Sequence, residues 1–351
     1  MPHTESTTAP SAPEPFAGPA AEWDAAVADL GGTFCHLWGW GEVFGSVFGH
    51  STHRWVIRNG DGAVRALLQA VLMRSPLFGR NLVSMPFLNY GGALGETGAR
   101  ESLTRAAVDF GRESGVRLVE IRDRVPVETG LPVSRDKVTV ILPLPDDPEV
   151  LWMDGLKGKV RSQVRRPRKA GMTAASGLDR VDDFYEVFAR NMRDLGTPVL
   201  PRRLFHAIAE TFPREAVVST VESEGKTVAG GFGFLYRGEF ELTWASSLRE
   251  YSREAPNMLL YWTLMEEMIE RGASTFNFGR CTPGGGTHRF KLQWGGEDEQ
   301  LHWTRWAPGG QGAPPSADGG LYQTAISLWQ RLPLPVANRL GPLISRGLPT
   351  W

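Results

Sequence analysis

The chain is poor in cysteine: Cys35 and Cys281 are the only two in 351 residues. That is too few for a disulfide framework or a cysteine zinc site, and a reducing, cytoplasmic setting is expected. Net charge is nearly absent, at −1 from 38 Lys and Arg against 39 Asp and Glu. No global basic field exists for nucleic acid, so any anion site must be built by local clusters. No stretch of about 18 apolar residues occurs, so no membrane span is expected. Residues 1–20 are rich in Pro, Ala, Ser and Thr, without the apolar core of a signal peptide, and read as a disordered tail.

Several motifs are missing too. There is no G-x-G-x-x-G after a strand, no P-loop and no G-x-S-x-G elbow. His36, His50, His53, His206, His288 and His302 show no metal-ligand spacing, and no metal is expected. Cys281 and His288 are seven residues apart, which admits thiol chemistry, although an inert cysteine is the commoner case.

What is present is patterned. Apolar residues are 41% and charged residues 22%, as in a soluble globular protein of two ordinary domains. Periodicity predicts helices over 20–30, 37–48 and 101–113, and strands over 53–59, 63–74, 82–92, 117–122 and 138–144. A similar order recurs: strands over 217–223, 227–234 and 239–246, a helix over 256–271, then a strand over 274–278. Glu113-Ser114-Gly115 followed by Leu118, Val119 and Ile121 parallels Glu270-Arg271-Gly272 followed by Thr275, Phe276 and Phe278. The repeat argues for two mixed α/β modules, 21–145 and 146–307, facing a shared cleft. Residues 308–320 read as a linker and 321–351 as an amphipathic segment broken by Pro333, Pro335 and Pro342.

Three stretches carry candidate chemistry. In TFNFGRCTPGGGTHRFKLQWGG, 275–296, a strand runs into Gly284, Gly285 and Gly286, then into His288, Arg289 and Lys291 interleaved with Phe290 and Trp294. Glycines let a ligand approach the main chain, and the cations suggest an anionic ligand. A strand end opened by glycines beside Lys291 suits stabilisation of a tetrahedral oxyanion in acyl transfer to an amine. In LKGKVRSQVRRPRKAGM, 156–172, seven cations stand without an acid. Lys157, Arg161, Arg165 and Arg168 share a helical face, Lys159 and Arg166 lie beside it, and Pro167 is expected to kink or end the helix. Such a stripe can neutralise donor phosphates; a plain solvated face is the alternative. Arg193 closes a helix over 182–195 that stops at Gly196-Thr197-Pro198.

The stretches SMPFLNYGG (84–92), KVRSQVRRPRKAGM (159–172), NMRDLGTPVLPRRLF (191–205), FNFGRCTPGGGTHRFKLQWG (276–295) and WQRLPLPVANRLGPLISRGLP (329–349) together resemble the FemAB peptidyltransferases. More narrowly, they resemble the FemAB-like proteins associated with bacterial exosortase and exopolysaccharide systems. The resemblance implies two tandem GNAT-like modules. It also implies aminoacyl or acyl transfer to an amine on a cell-wall precursor or glycan. It assigns Lys291 of Phe290-Lys291 to acceptor phosphate and reaction, and Arg193, Gly285, Gly286, Thr287 and Arg289 to the same pocket. Two departures are visible: Phe44 stands where muropeptide-using members tend to carry a substrate lysine, and no tRNA-engaging helical arm interrupts 217–306.

The expected reaction needs no resident cofactor. Its donor is aminoacyl-tRNA or acyl-coenzyme A, and its acceptor a phosphate-bearing glycan or lipid-linked precursor. A coenzyme A enzyme would carry a glycine-rich turn before its central helix, where Arg249 to Asn257 has no glycine. A non-catalytic glycan- or lipid-phosphate-binding protein of an export system is the alternative from another class. Residues 328–348 alternate leucines with Arg331, Arg339 and Arg346, which suits peripheral contact with the inner membrane; packing on the first module is the competing expectation.

Overall fold

The structure, a computed structural model, describes residues 12–310 and 320–348. The chain opens with β1 (Glu14–Pro15), α1 (Ala20–Asp29), α2 (Gly39–Phe48), β2 (Ser51–Arg58), β3 (Val64–Ser75), β4 (Gly79–Val83), β5 (Leu94–Gly95), α3 (Thr97–Glu113), β6 (Leu118–Asp123) and β7 (Val133–Ser134). It continues through β8 (Val138–Pro143), α4 (Pro148–Val150), α5 (Gly158–Lys169), β9 (Thr173–Ser176), α6 (Val181–Leu195), α7 (Arg202–Thr211), β10 (Ala216–Ser223), β11 (Lys226–Tyr236) and β12 (Glu239–Ser247). There follow α8 (Pro256–Glu270), β13 (Thr275–Cys281), α9 (Gly286–Leu292), β14 (Glu297–Gln300), β15 (His302–Trp306), α10 (Gly320–Gln330) and α11 (Leu334–Ser345).

Two sheets result. One has the order β1-β2-β3-β4-β6-β15-β7, with β5 paired to β3; the other has the order β14-β8-β13-β12-β11-β10-β9. In each, three antiparallel strands lead through a helix to a parallel neighbour: α3 connects β4 to β6, and α8 connects β12 to β13. Gly115 and Gly272 end those two helices at φ +62 and +80, a left-handed turn that glycine enters without a Cβ penalty. The sequence repeat is therefore a structural one.

The limits of the units differ from those read in the sequence. The first unit is Met1–Ser134 with His302–Gly312, and the second is Arg135–Leu301 with Ala313–Trp351. Strand β8, expected in the first module, pairs with β13 and β14, while β15, expected in the second, pairs with β6 and β7. Periodicity marks a strand but carries no information about its partner, so an exchange of strands is invisible to it. The low-complexity tail expected to reach residue 20 also ends early. Glu14 and Pro15 pair with Val56 and Trp55, and Phe16 meets Trp23 edge-on at 5.3 Å. The remainder of that tail, and 311–319 of the expected linker, lie outside the described residues.

In the first unit, α3 places Leu103 and Ala107 against Leu68, Leu82, Val119 and Ile121. Phe44 is fully buried, stacked on Trp40 at 5.4 Å and edge-on to Phe87 at 5.8 Å, so it is a core residue of α2. In the second unit the glycines of β11 set the layers. A Cβ at Gly230 would meet Phe184 of α6 at 3.2 Å, and one at Gly231 would meet Leu264 of α8 at 3.4 Å. Successive strand residues face opposite sides, so α6 covers one face and α8 the other. Phe184, Phe188, Phe205, Phe232 and Trp244 fill the first side; Tyr261, Phe276, Phe278 and Trp294 fill the second.

Candidate functional site

The second sheet opens where its two parallel strands part. β12 and β13 pair only at Glu239–Thr275, Phe240–Phe276 and Glu241–Asn277. Beyond this, β12 follows β11 through a bulge opposite Phe232 and Gly233, while β13 follows β8. A bulge bends its strand and raises local twist, which drives the two strands apart.

Asn277 sits fully buried at the parting point. Its Oδ1 accepts from the Gly279 N–H at 2.9 Å and from the Thr139 hydroxyl; its Nδ2 donates to Glu239 at 2.8 Å and Glu241 at 3.4 Å. The Thr243 hydroxyl donates to Glu241 at 3.1 Å. A carboxylate with 1% exposure is therefore held beside the splay. Gly279 follows at φ +69, a conformation that a side chain would strain, and its carbonyl meets Lys291.

Lys291 comes from α9. Phe290 meets Tyr261 edge-on at 4.9 Å, and Trp294, one turn on, lies parallel to the same ring at 6.0 Å. These anchors fix α9 on α8, and Lys291 reaches β13, donating to the carbonyls of Gly279 at 2.6 Å and Arg280 at 2.9 Å. It is 4% exposed. Burial lowers its pKa to about 8, with Arg280 acting in the same direction and Cys281 and Glu241 opposing it. Burial pushes the Cys281 thiol up, which argues against a reactive thiolate there.

A cavity of about 290 Å³ lies at the same end of β13, lined by Lys137, Arg280, Cys281, Thr282, Gly285, Gly286 and Thr287. Lys137 donates to the Thr282 hydroxyl at 2.7 Å across 145 residues of sequence. His288 accepts from the Gly284 N–H through Nδ1 at 3.0 Å, so its Nε2 donates to Asp298 at 2.8 Å. This pins the glycine loop to β14.

Of the residues expected in one pocket, Gly285, Gly286 and Thr287 line the cavity; Lys291 is buried and does not line it, but donates to the carbonyl of Arg280, which does. Arg289 is exposed and donates to the Gly284 carbonyl; Phe290 is an anchor to α8. Arg193 is elsewhere: it donates to Asp194 at 2.6 Å and to the Leu332 carbonyl at 2.8 Å, pinning the C-terminal segment. The basic stripe does not join the cavity's lining. Arg161 donates to the carbonyls of Trp152, Met153 and Leu156; Arg165 lies over Trp152 at 5.2 Å; Arg166 bonds the Arg253 carbonyl; Arg168 pairs with Glu266. Lys159 is exposed. Pro167 sits in the last turn of α5, which closes two residues later. Sequence reading missed Lys137, Glu241, Asn277 and Asp298. Their single-letter contexts resemble ordinary strand residues, and only strand pairing brings them together.

The matching opening of the first unit is filled by its own chain. Past Val83–Glu120, the loop 84–93 follows β6, with Ser84 N–H donating to the Glu120 carbonyl and Gly91 N–H to that of Arg122. Arg122, fully buried, donates to Glu120 at 2.8 Å and to the Leu88 carbonyl at 2.9 Å, and Arg305 of β15 donates to Glu120 at 2.8 Å.

Comparison with known proteins agrees with this architecture. The Acetyltransferase (GNAT) domain family matches residues 156–292. Among solved structures, FemX is 15% identical with TM-score 0.64, covering 91% of this chain and 100% of its own. A tandem GNAT protein from the clavulanic acid biosynthesis pathway is 14% identical with TM-score 0.54, covering 87% and 99%. The C-terminal domain of a putative lysylphosphatidylglycerol synthetase from Agrobacterium fabrum is 13% identical with TM-score 0.54, covering 89% and 96%. No curated protein matches. The chain has a tandem GNAT-type fold, and the acetyltransferase family match lies within its second unit.

Proposed function

We propose that the second unit transfers an acyl or aminoacyl group to an amine on a phosphate-bearing glycan or lipid-linked acceptor, with the reaction at the open end of β13. The observation that carries this reading is Lys291: a buried cation held by two backbone carbonyls, one of them from Arg280 in the lining of a cavity of about 290 Å³. An ammonium has three donors, and two are used within the protein. The third is the one for an oxyanion or an acceptor phosphate. In a low-dielectric site a fixed donor of this kind stabilises developing charge without reorganisation. The attacking amine forms the new C–N bond, the tetrahedral oxyanion collapses, and the donor's leaving oxygen or sulfur departs with the proton the amine gives up.

The start of α8 favours an aminoacyl ester over a coenzyme A thioester. Pro256 opens that helix without an N–H, and Ala255 precedes it at φ +57. A pyrophosphate seeks free N–H groups at a helix N-terminus, and this one lacks the N–H of its first residue and the glycine turn that would bring a ligand close. The acceptor reading, a cell-wall precursor or exopolysaccharide amine, rests on the FemAB resemblance.

Isothermal titration with acetyl-coenzyme A and transfer assays with aminoacylated tRNA test the donor. Transfer from the tRNA with no micromolar coenzyme A binding supports the proposal; micromolar binding moves the donor to coenzyme A. A Lys291→Met protein with full activity in vivo would favour the non-catalytic binding role.

A further inference from the structure

The two C-terminal helices pack through a stripe of small residues on α11 and through Ile326 on α10. On α11, Ala337, Gly341 and Ser345 are buried at a spacing of four. A Cβ at Gly341 would meet the Val199 backbone N at 2.8 Å, and the Ser345 hydroxyl donates to the Val199 carbonyl at 3.0 Å. On α10, Ile326 touches Gly196, and Gln330 donates to the Asp194 carbonyl at 3.1 Å. With the Arg193 bond to Leu332, these contacts seat both helices on α6 and the loop after it, within the second unit. The segment's position is thus fixed without its leucines.

Those leucines face out. Leu328 and Leu343 are each 61% exposed, and Val336 and Leu340 each 41%. Leu195, at the end of α6 beside the Gln330 contact, is 47% exposed. Five of the nine exposed large hydrophobics among the described residues are therefore gathered around one helical pair. Positions 336, 339, 340 and 343 share one face of α11, so Arg339 stands amid Val336, Leu340 and Leu343. Arg331 is exposed in the turn between the helices. No Asp or Glu follows Asp318 in the sequence.

We propose that the outer face of α10 and α11 docks the protein peripherally on an anionic lipid bilayer. Charge decides between occupants. A second copy laid on the same face would set arginine against arginine with no acid in the segment to pair them. An anionic lipid surface supplies phosphates to both arginines and an apolar layer to the leucines. No helix of the described residues is long or apolar enough to cross a membrane, so the contact is interfacial. The proposal does not depend on the transfer reaction.

Co-sedimentation of the full-length protein with vesicles tests it, using phosphatidylcholine alone and phosphatidylcholine mixed with phosphatidylglycerol. Because the inner face holds the helices in place, outward point variants serve better than a truncation. The expected result is binding to the anionic vesicles, weakened by salt and about tenfold or more by Leu340→Asp with Leu343→Asp. Arg331→Gln with Arg339→Gln should cost about fivefold per arginine. Melting temperatures of both variants should match the parent, since the positions are exposed. Failure of the parent to bind anionic vesicles overturns the proposal, as does equal binding by the leucine variant. A parent that is dimeric in light scattering, with a monomeric leucine variant and no lipid binding, would assign the face to a second copy instead.

Discussion

Lys291 and Asp123 are both buried titratable groups, and each predicts a fall as pH rises, one in activity and one in stability. Lys291 has a pKa lowered to about 8, chiefly by burial. If it acts as a cation, transfer should fall as pH rises through about 8, with little change below. Lys291→Met should lower the transfer rate roughly 10²–10³-fold, the loss seen when a fixed oxyanion donor is removed; assays across pH 6.5–9.5 check both. Asp123 is 2% exposed, and its carboxyl is raised to about 7 by burial, against the Ala93 N–H and Arg100. A raised acid is protonated in the folded state before the unfolded one, so stability is full below about pH 4 and is lost as pH rises toward 7. Asp123→Asn should remove that slope and raise the melting temperature at pH 8, read by thermal denaturation at several pH values.

At the scale of elements, the bulge in β12 is the device that parts the two parallel strands. A Cβ at Gly233, opposite it, would meet the Glu241 carbonyl at 2.4 Å and the Phe240 ring at 2.6 Å. Gly233→Ala should therefore cost about 1–3 kcal/mol, measured by urea denaturation, and should lower transfer by moving Glu241. Which elements were legible in the sequence follows from their length and pattern. Helix α8 and hairpin β10–β11 come within two residues of their expected limits, because 15 residues of helix and an alternating pair around Glu224-Gly225 leave little ambiguity. Helix α9 has no signal in the sequence, since Gly284, Gly285 and Gly286 hide a seven-residue helix. It forms because Phe290 and Trp294 bury against Tyr261, a tertiary contact that local propensity does not contain. Lys291 was legible as a residue, but its burial was not. Arg193 and the stripe from Lys159 to Arg166 read as phosphate binders; in the structure Arg161, Arg166 and Arg193 each donate to backbone carbonyls, Arg193 also pairs with Asp194, and Arg165 lies over Trp152, away from the cavity's lining.

For the whole molecule, the two-module repeat was visible in sequence, and the exchange of β8 and β15 was not. The exchange has a consequence for dissection. A fragment of residues 1–145 lacks β15, leaving Glu120 without Arg305 and β6 paired with β4 alone. A fragment of residues 146–307 lacks β8, which is the partner of both β13 and β14. Neither should show a cooperative unfolding transition when expressed alone; a sharp transition in either would contradict the strand assignment. The central claim is that the opening at β13, with Lys291, acylates an amine of a cell-envelope glycan or precursor. Mass spectrometry of surface glycans and muropeptides tests it most directly, comparing a strain that lacks the protein with the same strain carrying the parent or Lys291→Met. The account predicts an acyl or aminoacyl mass increment on an amine that the parent restores and Lys291→Met does not. Identical profiles with and without the protein, or full restoration by Lys291→Met, would contradict it.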